Sequence, residues 1–230
     1  MGYLISAYIL PGERDFSALN TLPSSFGYAV YFHEGIQCHL LDIYASRKPP
    51  KFPFCSLVPA AELPLDLATE LNLLNQFYEV LVRLNRANGF KRSYVNLALL
   101  LSQRLSTDVM SFVTNDDQLD FACTVREGAL TRLRFRCDDL LVTYSAGGLL
   151  IEPSFSEDEP DADWLTDLED LRAALPFAEI KERTIPMPTA LHSLATREVA
   201  GFTGATQPIL GLGSFDGPQD QHQWRKILQR

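Results

Sequence analysis

Residues 109–152, VMSFVTNDDQLDFACTVREGALTRLRFRCDDLLVTYSAGGLLIE, decide the fold of this chain. Apolar and polar residues alternate over short runs, broken by turn-forming groups at Asn115-Asp116-Asp117, Glu127-Gly128, Cys137-Asp138-Asp139 and Ala146-Gly147-Gly148. Successive strand side chains point to opposite faces of a sheet, so this pattern predicts an antiparallel meander of about five short strands.

The central hairpin of that stretch can be read to the residue. A three-residue loop Glu127-Gly128-Ala129 with a left-handed glycine pairs Val125 with Thr131, Cys123 with Leu133, Phe121 with Phe135 and Leu119 with Cys137. Those side chains form an apolar face. The other face then presents Arg132, Arg134 and Arg136, with Asp120 across from Arg136.

N-terminal to the meander, two helices are predicted. Leu67, Leu71, Leu74, Tyr78, Leu81 and Leu84 recur at helical spacing between Asp66 and Asn88, and Asn88-Gly89 supplies a stop. The second helix runs from an N-cap at Ser93 to about Leu105, and its run Leu97 to Leu101 is apolar nearly all round, which implies burial on several sides. Together they read as a helical hairpin packed on the sheet. Before them, prolines 49, 50, 53, 59 and 64 make residues 46–65 an extended connection, because proline lacks a backbone donor and restricts its predecessor. Further back, Tyr3–Leu10, Gly27–His33 and Ile36–Tyr44 read as strands, the last two joined by a turn at Glu34-Gly35.

C-terminal to the meander, helices are predicted at Asp163–Leu175, ending before Pro176, and near Thr189–Val199. A Gly-rich stretch from Gly201 to Gly217 then leads to a short polar helix, with the last thirty residues docked loosely or not at all. Strands, then helices, then strands argue for an α+β fold, since a doubly wound sheet would alternate the two throughout. The expected fold is an antiparallel β-sheet with two packed central helices and a C-terminal helical segment. Its expected organisation is a single domain over 1–200, comprising N-terminal strands (1–45), the Pro-rich connection (46–65), the helical hairpin (66–105), the meander (109–152) and an acidic helical segment (157–200), followed by the loop and short helix of 201–230.

Composition bounds the function classes. With 230 residues and 46% hydrophobic content the chain can bury a sizeable core. Its apolar runs fall far short of the ~20 residues that cross a bilayer, so no membrane association is expected. The apolar N-terminus lacks a basic lead and a cleavage site and reads as a buried strand. Gly2 and Ser6 fit the loose myristoylation pattern. Cys38, Cys55, Cys123 and Cys137 have neither zinc-site spacing nor disulfide density, which suggests free thiols and a cytoplasmic setting.

Charge is concentrated. Glu157, Asp158, Glu159, Asp161, Asp163, Asp167, Glu169 and Asp170 include no basic neighbour within 157–170 and account for all but one unit of the net charge of −9. Such a surface attracts basic partners and repels nucleic acid, which at a pI near 4.9 is not an expected ligand. Helix capping explains part of the run, because carboxylates are favourable at a helix N-terminus. It does not explain the missing i,i+4 lysines. Counting Glu159 as position one gives a partial EF-hand pattern with Asp161, Asp163 and Asp170, but Trp164 stands where the tight turn needs glycine. Trp164, Leu168, Leu171 and Leu175 instead form one helical stripe, with Asp163, Asp167 and Asp170 beside it.

Catalytic motifs are absent from the sequence. His33, His39, His192 and His222 are too widely spaced for a helical metal pair, and Cys38 and His39, as adjacent strand residues, point apart. Gly211 to Gly217 departs from the dinucleotide fingerprint by one intervening residue, and Ser145-Ala146-Gly147-Gly148 lacks the leading glycine of a nucleophile elbow. No cofactor or metal is expected.

Two functions remain. The first is a protein-binding module whose acidic surface, Glu157 to Asp170 with Trp164 as aromatic anchor, neutralises a basic protein partner, most concretely as an immunity-type inhibitor of a toxin. The alternative is an enzyme or binding protein for an anionic small molecule gripped by Arg132, Arg134 and Arg136, with Asp116, Asp117 or Asp120 as acid–base groups. On that alternative the arginine face should stand open, whereas arginines that hold the acidic segment against the sheet would leave no site.

Overall fold

The computed structural model describes residues 4–12, 15–22, 24–34, 37–44, 76, 79–80, 82–83, 92–115, 119–137, 140–146, 148–153, 162–181, 194–204 and 224–230. Ten strands form one sheet: β1 (Leu4–Pro11), β2 (Gly27–His33), β3 (Cys38–Tyr44), β4 (Val109–Asn115), β5 (Leu119–Arg126), β6 (Ala129–Cys137), β7 (Leu140–Ser145), β8 (Gly148–Pro153), β9 (Ala178–Ile180) and β10 (Trp224–Gln229). The helices α1 (Arg92–Leu105), α2 (Ala162–Ala174) and α3 (Leu194–Thr203) accompany them, with a 3-10 turn at Ser17–Thr21. The strand order is β10-β2-β3-β1-β4-β5-β6-β7-β8-β9. Every neighbouring pair is antiparallel except β8 with β9.

The fold is α+β, and the meander runs from β4 to β8 as five consecutive antiparallel strands. β1 lies between β3 and β4, joining the N-terminal strands to the meander. That position explains its near-continuous apolar sequence. Tyr8 and Leu10 enter the larger core on one face, while Ala7 and Ile9 enter a smaller core on the other.

The larger core collects Val109, Val113, Phe121, Cys123, Val125, Leu133 and Phe135 from the meander and receives α1. Tyr94, Val95, Leu97, Ala98, Leu99, Leu100 and Leu101 are all buried, the all-round burial that the leucine run implies. Ser106 takes a left-handed φ of 46°, which ends the helix. Ser102 then donates to the carbonyl of Thr107 at 2.6 Å and accepts from the amide of Gly128 at 3.1 Å, fastening the helix end to the β5–β6 turn.

Several boundaries differ from the sequence reading. α1 begins at Arg92, so Ser93 lies inside its first turn and is not its N-cap. Of the helix expected over 66–88, residues 76, 79, 80, 82 and 83 are described and helical, and Val80 is buried in the larger core. The Pro-rich connection and the turn residue Gly35 lie outside the described residues.

The hairpin differs in an instructive way. Arg126 pairs with Ala129 across a two-residue turn in which Glu127 and Gly128 have φ of 50° and 76°. Two positive φ values match strand twist better than the three-residue loop expected. A bulge at Thr131 then restores the expected register, with Cys123 opposite Leu133, Phe121 opposite Phe135, Leu119 opposite Cys137 and Asp120 opposite Arg136. Thr131 faces no partner on β5 and donates its hydroxyl to the carbonyl of Thr124 at 3.0 Å.

The C-terminus corrects the expectation most. Residues 224–229 form a strand, not a polar helix, and pair antiparallel with β2 along its length. Reciprocal amide–carbonyl bonds between Arg230 and Tyr28, of 2.9 and 3.2 Å, complete the docking.

Candidate functional site

α2, which carries the end of the acidic run, and α3, which crosses the arginines of β6, pack on opposite faces of the sheet. Arg132, Arg134 and Arg136 project from β6 away from Leu133 and Phe135, as strand alternation requires. α3 crosses this face, burying Val199 against Ala122, Met110 and Phe112 in the smaller core. α2 packs on the other face, where Leu168, Leu171 and Leu175 join the larger core.

Arg132 and Arg134 converge on one carboxylate of α3. Arg134 Nη1 lies 2.7 Å from Glu198 Oε1, Arg132 Nε lies 3.1 Å from Glu198 Oε2, and Arg132 Nη2 donates to Oε1 at 3.2 Å. Glu198 is only 15% exposed along its side chain. Arg136 is itself buried. Arg132 therefore grips Glu198 through two donors and Arg134 through one, so the protein's own glutamate occupies guanidinium groups that would hold an external anion. Sequence reading anticipated a helix near residue 198 but could not pair it with a strand more than sixty residues away.

The acidic surface is seen in part. Asp163, Trp164 and Asp167 fall on α2, with their side chains outside what is described, and Glu157, Asp158, Glu159 and Asp161 lie outside the described residues altogether. Glu169 and Asp170 are exposed, flanked on the helix by the buried Leu168 and Leu171. The helix is thus pinned by its leucine stripe with carboxylates turned outward. Arg172, its basic residue in the last turn, follows the acidic run.

A polar group that sequence reading missed sits beyond β1 on the α3 face. Tyr31, Asp42 and Tyr44 come from β2 and β3, and Lys226 and Gln229 from β10. Burial pushes the Tyr31 phenol up to about 12, with the Asp42 carboxylate adding to the effect. Tyr44 is raised by burial and by Asp42, opposed by a hydrogen bond with Gln229. Both phenols stay neutral at physiological pH, and Tyr44 donates to the carbonyl of Arg230 at 3.1 Å. Lys226 lies 5.7 Å above the Tyr31 ring and donates to Gln229 at 2.8 Å. The cluster docks the last strand.

Nucleophile candidates fare no better. The histidine that shares a sheet face with Cys38 is His33, directly across from it, while His39 points the other way between Phe16 and Phe32, with ring centroids 4.9 Å apart in each case. Burial raises the Cys38 thiol, which disfavours the reactive thiolate. Cys123 is pushed up to about 12 for the same reason. Among the described residues no cluster of three or more His, Cys, Asp or Glu is placed to hold a metal ion, and no helix is long and apolar enough to cross a membrane. In comparisons with known proteins, no family model, curated protein or solved structure matches the chain.

Proposed function

We propose that this protein is a binding module that uses the acidic surface of residues 157–170 to engage and neutralise a basic protein partner, most concretely as an immunity-type inhibitor of a toxin. The observation that carries the reading is the anchoring of α2. Leu168, Leu171 and Leu175 are buried while Glu169 and Asp170 are exposed, so α2 is docked on the core with these two carboxylates turned outward. A preorganised surface loses little conformational freedom on binding, and concentrated charge of one sign accelerates encounter with a partner of the other. The engagement of Arg132 and Arg134 by Glu198 favours this reading over an anion-binding pocket on β6.

The test compares the wild-type chain with Asp163→Asn/Asp167→Asn/Asp170→Asn as tagged bait in extract of the native host, at low and then moderate salt. A stoichiometric basic protein held by the wild type, whose association rate with the variant falls, is the expected result. The captured protein should lose its toxicity when co-expressed with the wild-type chain and keep it with the variant. Equal association rates for the two baits would remove residues 163–170 from the interface.

A further inference from the structure

The two edges of the sheet are built differently. β9, at one end, has three residues, with Glu179 exposed and Lys181 bridged to Glu152 at 3.0 Å just beyond it. Shortness of this kind protects an edge from further pairing, and the cations of the longer β10 restrict which segment can pair with it. β10, at the other end, has six residues, and residues 225–230 are exposed throughout. Its Ile227 and Leu228 are two of the three exposed large hydrophobics among the described residues, 42% and 39% exposed.

The backbone phase of that edge follows from the reciprocal Arg230–Tyr28 bonds. Residues that alternate with Arg230 turn their amides and carbonyls away from β2, so Gln229 offers an outward donor and acceptor. The side chains carry a charge opposite to that of the chain as a whole. Arg225, Lys226 and Arg230 are exposed cations without an acidic residue among them, on a protein of net charge −9. Register places Arg225, Leu228 and Arg230 beside the residues of one sheet face and Lys226 and Gln229 beside those of the other.

We propose that the outer edge of β10 is a docking site for an extended acidic segment of a partner protein, added antiparallel as an eleventh strand. Main-chain bonds to the edge would supply the attachment, and carboxylates opposite Arg225, Lys226 and Arg230 would supply selectivity. A second copy of the same edge is disfavoured. Antiparallel pairing of β10 with itself about Ile227 and Leu228 sets Arg225 against Arg230 of the other copy, and like charges directly opposite repel. The surface is separate from the α2 acids and selects the opposite charge.

The register writes the probe. Taken antiparallel from Arg230 to Trp224, and skipping Ile227 at the bulge, the complement is Glu-Thr-Val-Glu-Glu-Val. A dye-labelled, end-capped peptide of this sequence should bind the full chain saturably by fluorescence anisotropy. Replacing its glutamates by lysines, or N-methylating alternate residues on the pairing edge, should each weaken binding by about tenfold or more through lost charge pairing or lost inter-strand bonds. The N-methylated peptide leaves the protein untouched, so that comparison does not depend on a variant folding. Arg225→Glu/Lys226→Glu, checked for a native circular dichroism spectrum, should weaken the parent peptide and accept the lysine version. Absence of saturable binding, or binding indifferent to N-methylation, would overturn the proposal. So would a concentration-dependent dimer that survives Arg225→Glu/Lys226→Glu, because it would make a second copy the occupant.

Discussion

Arg134 Nη1 and Glu198 Oε1, 2.7 Å apart, tie β6 to α3 across the smaller core. Arg132 adds a second fork to the same carboxylate, and the glutamate is mostly removed from water. A charged hydrogen bond of this type is stronger than a surface pair but shares its energy with screening at the half-exposed Arg132. Glu198→Ala should therefore lower stability by about 1–2 kcal/mol, the low end of the charge-assisted range after the discount for screening, as read from urea midpoints. Glu198→Gln should lose less, since an amide oxygen still accepts from one guanidinium. If the arginines instead served an external anion, Glu198→Ala would expose them, and the variant alone would gain thermal stability in phosphate.

The β5–β6 turn offers a cleaner separation of causes. Gly128 has a φ of 76°, and a Cβ there would meet Gln103 Cγ at 2.9 Å. Gly128→Ala should cost about 1–2 kcal/mol for left-handed backbone in an L-residue, plus whatever displacing Gln103 requires. Truncating the neighbour in Gly128→Ala/Gln103→Ala should recover only the steric part. Glu127→Asn, at a φ of 50°, should stabilise, because asparagine tolerates that region better. Melting temperatures of the three variants against the wild type decide the partition.

The same turn shows how far the sequence can be read. Alternation at residues 119–137 predicts which side chains share a face, because hydrophobic burial enforces period two, and those pairs hold except at the turn. Turn type and bulge did not follow. One loop of three residues, and a loop of two followed by a bulge at Thr131, give the same distal register, so the apolar pattern cannot separate them. The last strand was illegible for another reason. Trp224 to Gln229 mixes cations with Ile227 and Leu228 without clean alternation, and a bulge shifts the register between Lys226 and Leu228. Only the exposed edge of β2 could have shown that a strand was needed there. Glu198 was beyond reach because ion pairing between a helix and a distant strand leaves no local spacing.

Docking of β10 should depend on a phenol far from it in sequence. Tyr44 is 1% exposed and donates to the Arg230 carbonyl at 3.1 Å. Tyr44→Phe should cost about 1 kcal/mol, the net value of one hydrogen bond, with little disturbance of packing. The effect should be local. Hydrogen exchange at the amides of Tyr28 and Arg230, which bond each other's carbonyls, should accelerate, while that of Cys123 in the meander should follow only the change in global stability. Unchanged protection at Tyr28 would mean that the backbone ladder alone holds the strand.

Alkaline pH should unfold the protein through groups that the core holds in their protonated form. Burial raises Tyr8 well above the ordinary phenol value of 10.0, and it pushes Tyr31 and Tyr94 up to about 12 and Cys123 from 9.0 up to about 12. Above pH 9 to 10 the unfolded chain releases these protons and the folded chain keeps them. Stability then falls with rising pH, since the folded state binds more protons. The contribution is complete below about pH 9 and is lost progressively toward pH 12. Thermal melts from pH 8 to 12 should show this decline, and tyrosinate absorbance should appear for the buried phenols only with loss of structure. Cys123→Ala should blunt the first part of the decline, near pH 9, where its thiol is the group that ionises in the unfolded chain. A melting temperature flat to pH 11.5 would mean that water reaches these side chains in the folded state.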